Sequence, residues 1–357
     1  MITVFTPSFA DESNTNAQNL TVKEVAARMD PVRFRVVMLG AGQTDPRIAA
    51  RPNTEILRWQ KHANTARILL HLLLHVPDVF FFPRESAIET AFLATRAKLR
   101  LRTALVTYVV SGGLEADSNR PILRRALDEC DVAAANSRFM SEIAQRLGGR
   151  EVQTVYDGID RRYYYPAPEP QDRGGRPIVL YAGSFRSYKR ADLVVREAAQ
   201  HPEWEFRLAG AGEEERACRQ LARDLNCGNV VFLGHLNVAR LGDEMRRAQI
   251  FYFPSEIEGH PQVLGQAAAC GLPCVARTSY HPDYVVDGDT GLLAASDAQM
   301  SEALSRLIRD PELRTRMSTA AVQHAQAFDW DRIAKQWQLI MERAIANRQD
   351  RLRNGVR

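Results

Sequence analysis

Short apolar runs alternate with longer amphipathic ones along nearly the whole chain, and the alternation restarts once. "MITVFTP", "FRVVML", "VFFF", "TALVTYVV", "CDVAAANS" and "VQTVYDGID" read as strands of a first half, with helical segments such as "NAQNLTVKEVAARM" between them. Thr15 and Gln18 are spaced as a capping box at the start of that helix. "IVLYAG", "EFRLAG", "VVFLG", "AQIFYF" and "PCVA" repeat the scheme in a second half. Strands separated by helices demand crossover connections, hence mostly parallel sheets covered on both faces. Between the halves lies "RRYYYPAPEPQDRGGRP" (161–177), whose prolines and glycines mark a linker. The expected organisation is an α/β fold with domains at 1–165 and 176–328, followed by a long amphipathic helix at 329–357 that packs back on the first domain.

Composition narrows the class. The 357 residues are 45% hydrophobic and 25% charged, values of a soluble globular protein, with a net charge of +4 that falls short of a nucleic-acid-binding profile. Five cysteines (Cys130, Cys218, Cys227, Cys270, Cys274) without CxxC spacing suit a reducing cytoplasm better than a disulfide framework. "MITVFTPSF" lacks the basic start and apolar core of a signal peptide. The greasiest stretch, "ILLHLLLHVPDVFFF" (68–82), is broken by His71, His75, Pro77 and Asp78, too early for a membrane span of ~20 apolar residues.

The chemistry concentrates at the ends of the second-half strands. In "PSEIEGHPQVLGQAAACGLPCVA" (254–276), a strand gives way to an acidic loop and then a helix. Pro261 is expected at the first helical position, and Gly271 and Pro273 just beyond the last. A helix start offers unpaired N–H groups and partial positive charge, which favour phosphate. "YAGSFRSYKR", "LAGAGEE" and "FLGHLN" add small or polar residues at three more strand ends, where open α/β sheets bind ligands. Lys189, six residues past Gly183, offers a point charge. A nucleoside diphosphate fits this set.

These residues resemble the retaining glycosyltransferases of GT-B architecture, in the group that includes glycogen- and sucrose-synthase-like enzymes and bacterial envelope enzymes. The group's P-S-x-x-E-G-x-P run and the A-x-A-x-G-x-P-V-V-A that follows are matched by Pro254, Ser255, Glu258, Gly259, Pro261, Ala267, Gly271, Pro273 and Ala276. Its G-R-x-x-x-x-K signature appears as Gly183, Ser184 and Lys189, its P-N-G-v-D as "VYDGID", and its D-G-x-T-G as "VDGDTG". The resemblance implies two Rossmann-like domains facing a central cleft, the first for the acceptor and the second for the nucleotide-sugar. Glu258 would hold donor-sugar hydroxyls, backbone N–H groups of Gly259, His260, Gln262, Val263 and Leu264, around Pro261, would meet the sugar and diphosphate, and Lys189 would neutralise the leaving phosphate. Gln266 stands where a second glutamate usually contacts the ribose, Ser184 where an arginine often meets phosphate, with Arg186 and Arg190 as substitutes. Gly183 and Gly234 complete the donor rim. The implied reaction moves a sugar from a UDP- or GDP-linked donor to a glycan, glycolipid or small glycoside with retention, without metal or cofactor.

Several patterns point elsewhere and are read down. "DGD" (287–289) and "DWD" (329–331) mimic a metal-binding D-x-D, but are expected as a turn and a helix start. "LGAGQ" (39–43) does not complete a dinucleotide fingerprint. His260 is expected to act through its backbone. The basic "TRAKLRLRT" (95–103) is read first as a solvated face, with peripheral contact at the inner face of an anionic membrane as the alternative. Pro83 and Arg84, and Ser111 and Gly112, stand where the group often has histidines. With Gln266, that keeps open a nucleotide-sugar-binding protein with little turnover.

Overall fold

The strand-forming runs build two parallel sheets in a computed structural model that describes residues 1–12, 17–59, 64–81, 87–110, 120–148, 151–167 and 175–354. The first holds β1 (Ile2–Phe9), β2 (Phe34–Gly40), β3 (Thr54–Arg58), β4 (Val79–Phe81), β5 (Ala104–Val109), β6 (Val132–Ala135) and β7 (Val152–Thr154), in the order β3-β2-β1-β4-β5-β6-β7. The second holds β8 (Ile178–Ala182), β9 (Glu205–Ala209), β10 (Val230–Gly234), β11 (Ile250–Phe253), β12 (Cys274–Arg277) and β13 (Gly291–Ala294), in the order β10-β9-β8-β11-β12-β13. Each sheet starts at its centre, grows to one edge, then returns to build the other. The reversal leaves a crevice beside the first strand, between β1 and β4 in one sheet and β8 and β11 in the other.

The chain divides into Met1–Asp157 with Trp330–Arg357, and Gly158–Asp329. Residues 158–165, expected with the first domain, therefore belong to the second unit. The cause is local: Ile159 N–H donates to Phe328 O at 2.7 Å, and Arg246 Nη1 to Tyr163 O at 2.6 Å.

Alternation along the strands explains the first unit's core. Val4, Val36, Phe81, Val106 and Tyr108 face one side of the sheet, and Phe5, Val37, Phe80, Leu105 and Val109 the other. The first of these faces is covered by helix Ala17–Arg28 and by helix Trp330–Arg353. The C-terminal helix thus packs on the first unit, burying Trp330, Ile333, Trp337, Ile340 and Met341. Trp337 lies 4.9 Å from the Phe81 ring and edge-on to Tyr108 at 4.7 Å. The helix end is tied by Arg348, which donates to Leu101 O at 2.8 Å, and by Arg351, which donates to Cys130 O at 2.9 Å.

Two strands escaped the sequence reading. β3 carries a polar, half-buried pattern at an edge, and β13 sits within what reads as a turn sequence. Thr15, proposed as a helix cap, lies outside the described residues, as do Pro83, Arg84, Ser111 and Gly112. Truncating the fully buried Trp337 leaves a large void in a well-packed layer. Trp337→Ala is expected to cost about 3–5 kcal/mol of stability in urea unfolding; a loss within ~0.5 kcal/mol, the range of a surface substitution, would show the helix to be an appendage.

Candidate functional site

The second unit brings Lys189 and Glu258 together at its crevice. Strand β8 ends in a loop closed by a 3-10 turn at Ser187–Lys189, and β11 ends in the acidic loop before helix Gln262–Ala269. These loops join directly, as Glu256 N–H donates to Tyr188 O at 2.9 Å. Lys189 Nζ then reaches the Glu258 carboxylate as a charged hydrogen bond. Only 15% and 12% of the two side chains remain exposed. The lysine head also lies 5.5 Å from the ring centres of Tyr188 and Phe253. A shielded pair like this is strongly coupled, since removing one partner strands the other charge out of water.

A second set of charges holds the acidic loop still. Arg190 donates to Glu256 at 2.6 Å and to Asp297 at 2.9 Å, and pairs with Asp192 at 3.2 Å. Arg277, buried, donates to Pro254 O at 3.2 Å and also bonds Asp297. The two guanidiniums hold the Asp297 carboxyl below its ordinary range. Hydrogen bonding to Asp297, with further bonds to Asp192 and Glu256, drives the Arg190 guanidinium further toward its charged form. Arg190 therefore braces the loop through three carboxylates. It caps the next helix from a left-handed backbone (φ 53), which fixes its direction further. Arg186 is exposed, and no ion pair forms on it among the described residues.

The helix after the loop has the expected ends with one shift. Pro261 is extended (ψ 97) and caps the helix instead of opening it, because Gln262 is the first residue with helical geometry. Gly271 (φ +81) closes the other end, with Gly271 N–H donating to Ala268 O and Leu272 N–H to Ala267 O. Leu264 N–H is taken by Pro261 O at 3.0 Å, so it is not open to a ligand. The N–H groups of Gln262 and Val263 lie in the first turn, where no carbonyl of their own helix can accept them. Gln266, one turn in, is half-buried.

The glycines act differently from expectation. A Cβ on Gly210 would stand 1.8 Å from Gly183 O, and one on Gly212 2.5 Å from Phe185 O. Both have positive φ. They let the β9 loop lie against the β8 loop, where Gly183 N–H donates to Ala209 O and Phe185 N–H to Ala211 O, each at 3.0 Å. Gly234 lies on the edge strand, apart from the Lys189–Glu258 pair, and its carbonyl accepts from Gly210 N–H at 2.8 Å. Ser184 is exposed, its carbonyl accepting from Tyr181 OH at 3.2 Å.

The other patterns have structural fates. In "LGAGQ", Ala41 and Gly42 donate their N–H groups to the Asp11 carboxylate at 3.0 and 2.9 Å, so the chain fills that nest itself. "DGD" is a turn in which Asp287 accepts from Leu293 N–H at 2.9 Å. The second "DWD" residue opens the final helix. Among the described residues no cluster of three or more His, Cys, Asp or Glu side chains is placed to hold a metal. Glu256, Arg277 and Asp297, which brace the site, were not singled out from sequence. Nothing in their spacing pairs them.

Residues 167–324 match the family model Glycosyl transferases group 1. The chain is 31% identical over 240 residues to a D-inositol 3-phosphate glycosyltransferase of Acidothermus cellulolyticus, covering 58% of this chain and 53% of that one. It is 27% identical over 324 residues to a GDP-mannose-dependent monoacylated alpha-(1-6)-phosphatidylinositol monomannoside mannosyltransferase of Corynebacterium glutamicum, covering 81% and 82%. The chain thus spans little more than half of the first relative's length. The fold matches Anabaena HepE, solved with UDP-glucose, with a TM-score of 0.77 at 18% identity over 96% of this chain and all of that one. The fold class is α/β of GT-B type, with two Rossmann-like sheets.

His260 has a role that its position in the loop motif conceals. Its ring stacks on Tyr284 at 4.0 Å, and Gly265 is needed there because a Cβ would stand 2.6 Å from Tyr284 Cε1. Burial pulls the imidazole down to about 3. The unfolded chain binds a proton near ~6.5 that the folded one refuses, so stability falls as pH drops below that value. The expected slope approaches ~1.4 kcal/mol per pH unit between about pH 6 and pH 4. Urea unfolding across this range is expected to show a flatter profile for His260→Leu than for the wild type. Parallel profiles would mean that the imidazole is not buried neutral.

Proposed function

We propose that the protein is a retaining, metal-independent glycosyltransferase that moves a sugar from a UDP- or GDP-linked donor to a hydroxyl of a glycan, glycolipid or small glycoside. The observation that carries the proposal is the shielded Lys189–Glu258 pair at the crevice beside β8 and β11, next to a helix start. Relatives support the donor class: one is named as GDP-mannose-dependent, and a fold neighbour holds UDP-glucose.

The chemistry follows from charge. In the free protein Lys189 pairs with one carboxylate among the described residues, Glu258. A sugar diphosphate entering the crevice gives the lysine a second anion and gives Glu258 the sugar hydroxyls to accept. The N–H groups of Gln262 and Val263 and the exposed Arg186 add positive character toward the phosphates. When the bond from the anomeric carbon to the diphosphate oxygen breaks, that oxygen leaves with the electron pair. Lys189 stabilises the charge it gains. The departing phosphate takes the acceptor hydroxyl's proton, and the acceptor oxygen bonds the anomeric carbon on the same face. Glu258, holding the sugar hydroxyls, favours the positive character that develops on the ring. Gln266, neutral, is the ribose contact in this reading, and Gly183, Ser184 and Gly259 line the approach.

The lysine and the helix start supply the charge that a divalent ion supplies in other transferases, so turnover is expected to persist in chelator. All five cysteines are free thiols, which fits the reducing cytoplasm that the proposal assigns.

Glu258→Gln keeps shape and hydrogen bonding but removes the charge. It is expected to lower turnover by about a hundredfold while leaving nucleoside diphosphate affinity nearly unchanged. The check is a nucleotide-sugar screen in chelator, then product analysis and turnover for both proteins. Normal turnover by Glu258→Gln would reduce the carboxylate to a loop brace, and an inverted product linkage or loss of activity in chelator would contradict the mechanism.

A further inference from the structure

The first unit carries a surface that the donor site does not use, at the edge where its strands begin. Helices Asn64–Leu74 and Ala87–Leu99 pack side by side, and each leads into a strand of the same sheet, so both end at this edge. Their following segments touch: Thr103 Oγ1 donates to Pro77 O at 2.8 Å and Ala104 N–H to Asp78 O at 2.8 Å. Leu70, Leu74 and Leu99 stand out here, with 57%, 69% and 57% of their surface exposed. Leu70 and Leu74 lie one turn apart on one helix face.

Basic residues flank Leu99 along the chain. Of the run at 95–103, Arg96 is buried and spent on Asp131. Asp131 also takes Arg351 at 3.2 Å, so this buried carboxylate is saturated. Lys98, Arg100 and Arg102 remain exposed, and no ion pair forms on them among the described residues. The C-terminal helix ends at the same edge, where Arg348 donates to Leu101 O. Basic residues at helix ends do complement the helix dipole, but that does not account for three exposed leucines among them. Apolar side chains flanked by unpaired cations fit a surface that is negative outside and apolar just beneath.

We infer that this edge docks on an anionic lipid bilayer, with Leu70, Leu74 and Leu99 entering the headgroup boundary and Lys98, Arg100 and Arg102 meeting lipid phosphates. No helix among the described residues is long and apolar enough to cross a membrane, so the contact is peripheral.

Flotation of the full chain with phosphatidylcholine vesicles, with and without phosphatidylglycerol, tests the inference. Binding is expected only to the anionic vesicles and is expected to weaken with added salt. Lys98→Gln/Arg100→Gln/Arg102→Gln is expected to lower partitioning roughly a hundredfold. Leu74→Ser/Leu99→Ser is expected to lower it while the melting temperature holds. Failure to bind anionic vesicles, equal binding to neutral ones, or unchanged binding by the triple variant overturns the inference. A concentration-dependent dimer abolished by the leucine variant also overturns it, since a second copy would then cover the face.

Discussion

The ion pair between Lys189 and Glu258 joins residues 69 positions apart, and it forms only where strand order reverses in the second sheet. Strand β8 is laid down at the centre, two further strands extend one edge, and β11 then returns to pair with β8. That return sets the two loops face to face. Every other feature of the site either makes that approach possible or keeps it from drifting.

Two devices do this. Gly210 and Gly212 strip side chains from the β9 loop so that the β8 loop can lie against it, which presents Lys189 from a fixed platform. Arg190 and Arg277 converge on Asp297 and from there hold Glu256 and Pro254. Glu258 is therefore aimed by residues that never touch it. Their charges are engaged with one another, which leaves the lysine and glutamate as the pair able to exchange partners. Such support matters because positioning of charge, more than covalent participation, is what the proposed transfer asks of its protein.

Much of this was legible in the amino-acid order, for identifiable reasons. Fully buried parallel strands such as "IFYF" and "IVLYA" read as continuous apolar runs, and Gly271 announced a helix end because only a left-handed residue fits there. Lys189 and Glu258 were found through their spacing to glycines and prolines. What escaped was set by tertiary contact. β3, a half-polar edge, has no strong pattern of its own. The bond of Arg190 to Asp297, 107 residues later, has no counterpart in the local pattern. "LGAGQ" resembled a ligand loop because its N–H groups do bind a carboxylate, but that carboxylate is Asp11. His260 sits in the loop motif and yet turns inward to stack on Tyr284.

The central claim is that Lys189 seats the diphosphate of a donor at this crevice. Calorimetric titration of UDP and GDP, and of the matching nucleosides, into wild type and Lys189→Ala in the presence of chelator measures it directly. Loss of one charge-assisted contact predicts a ten- to hundredfold (order-of-magnitude) weaker nucleoside diphosphate for Lys189→Ala, with the bare nucleoside unaffected. Diphosphate affinity that is unchanged in the variant, or that falls equally for the nucleoside, would contradict the account.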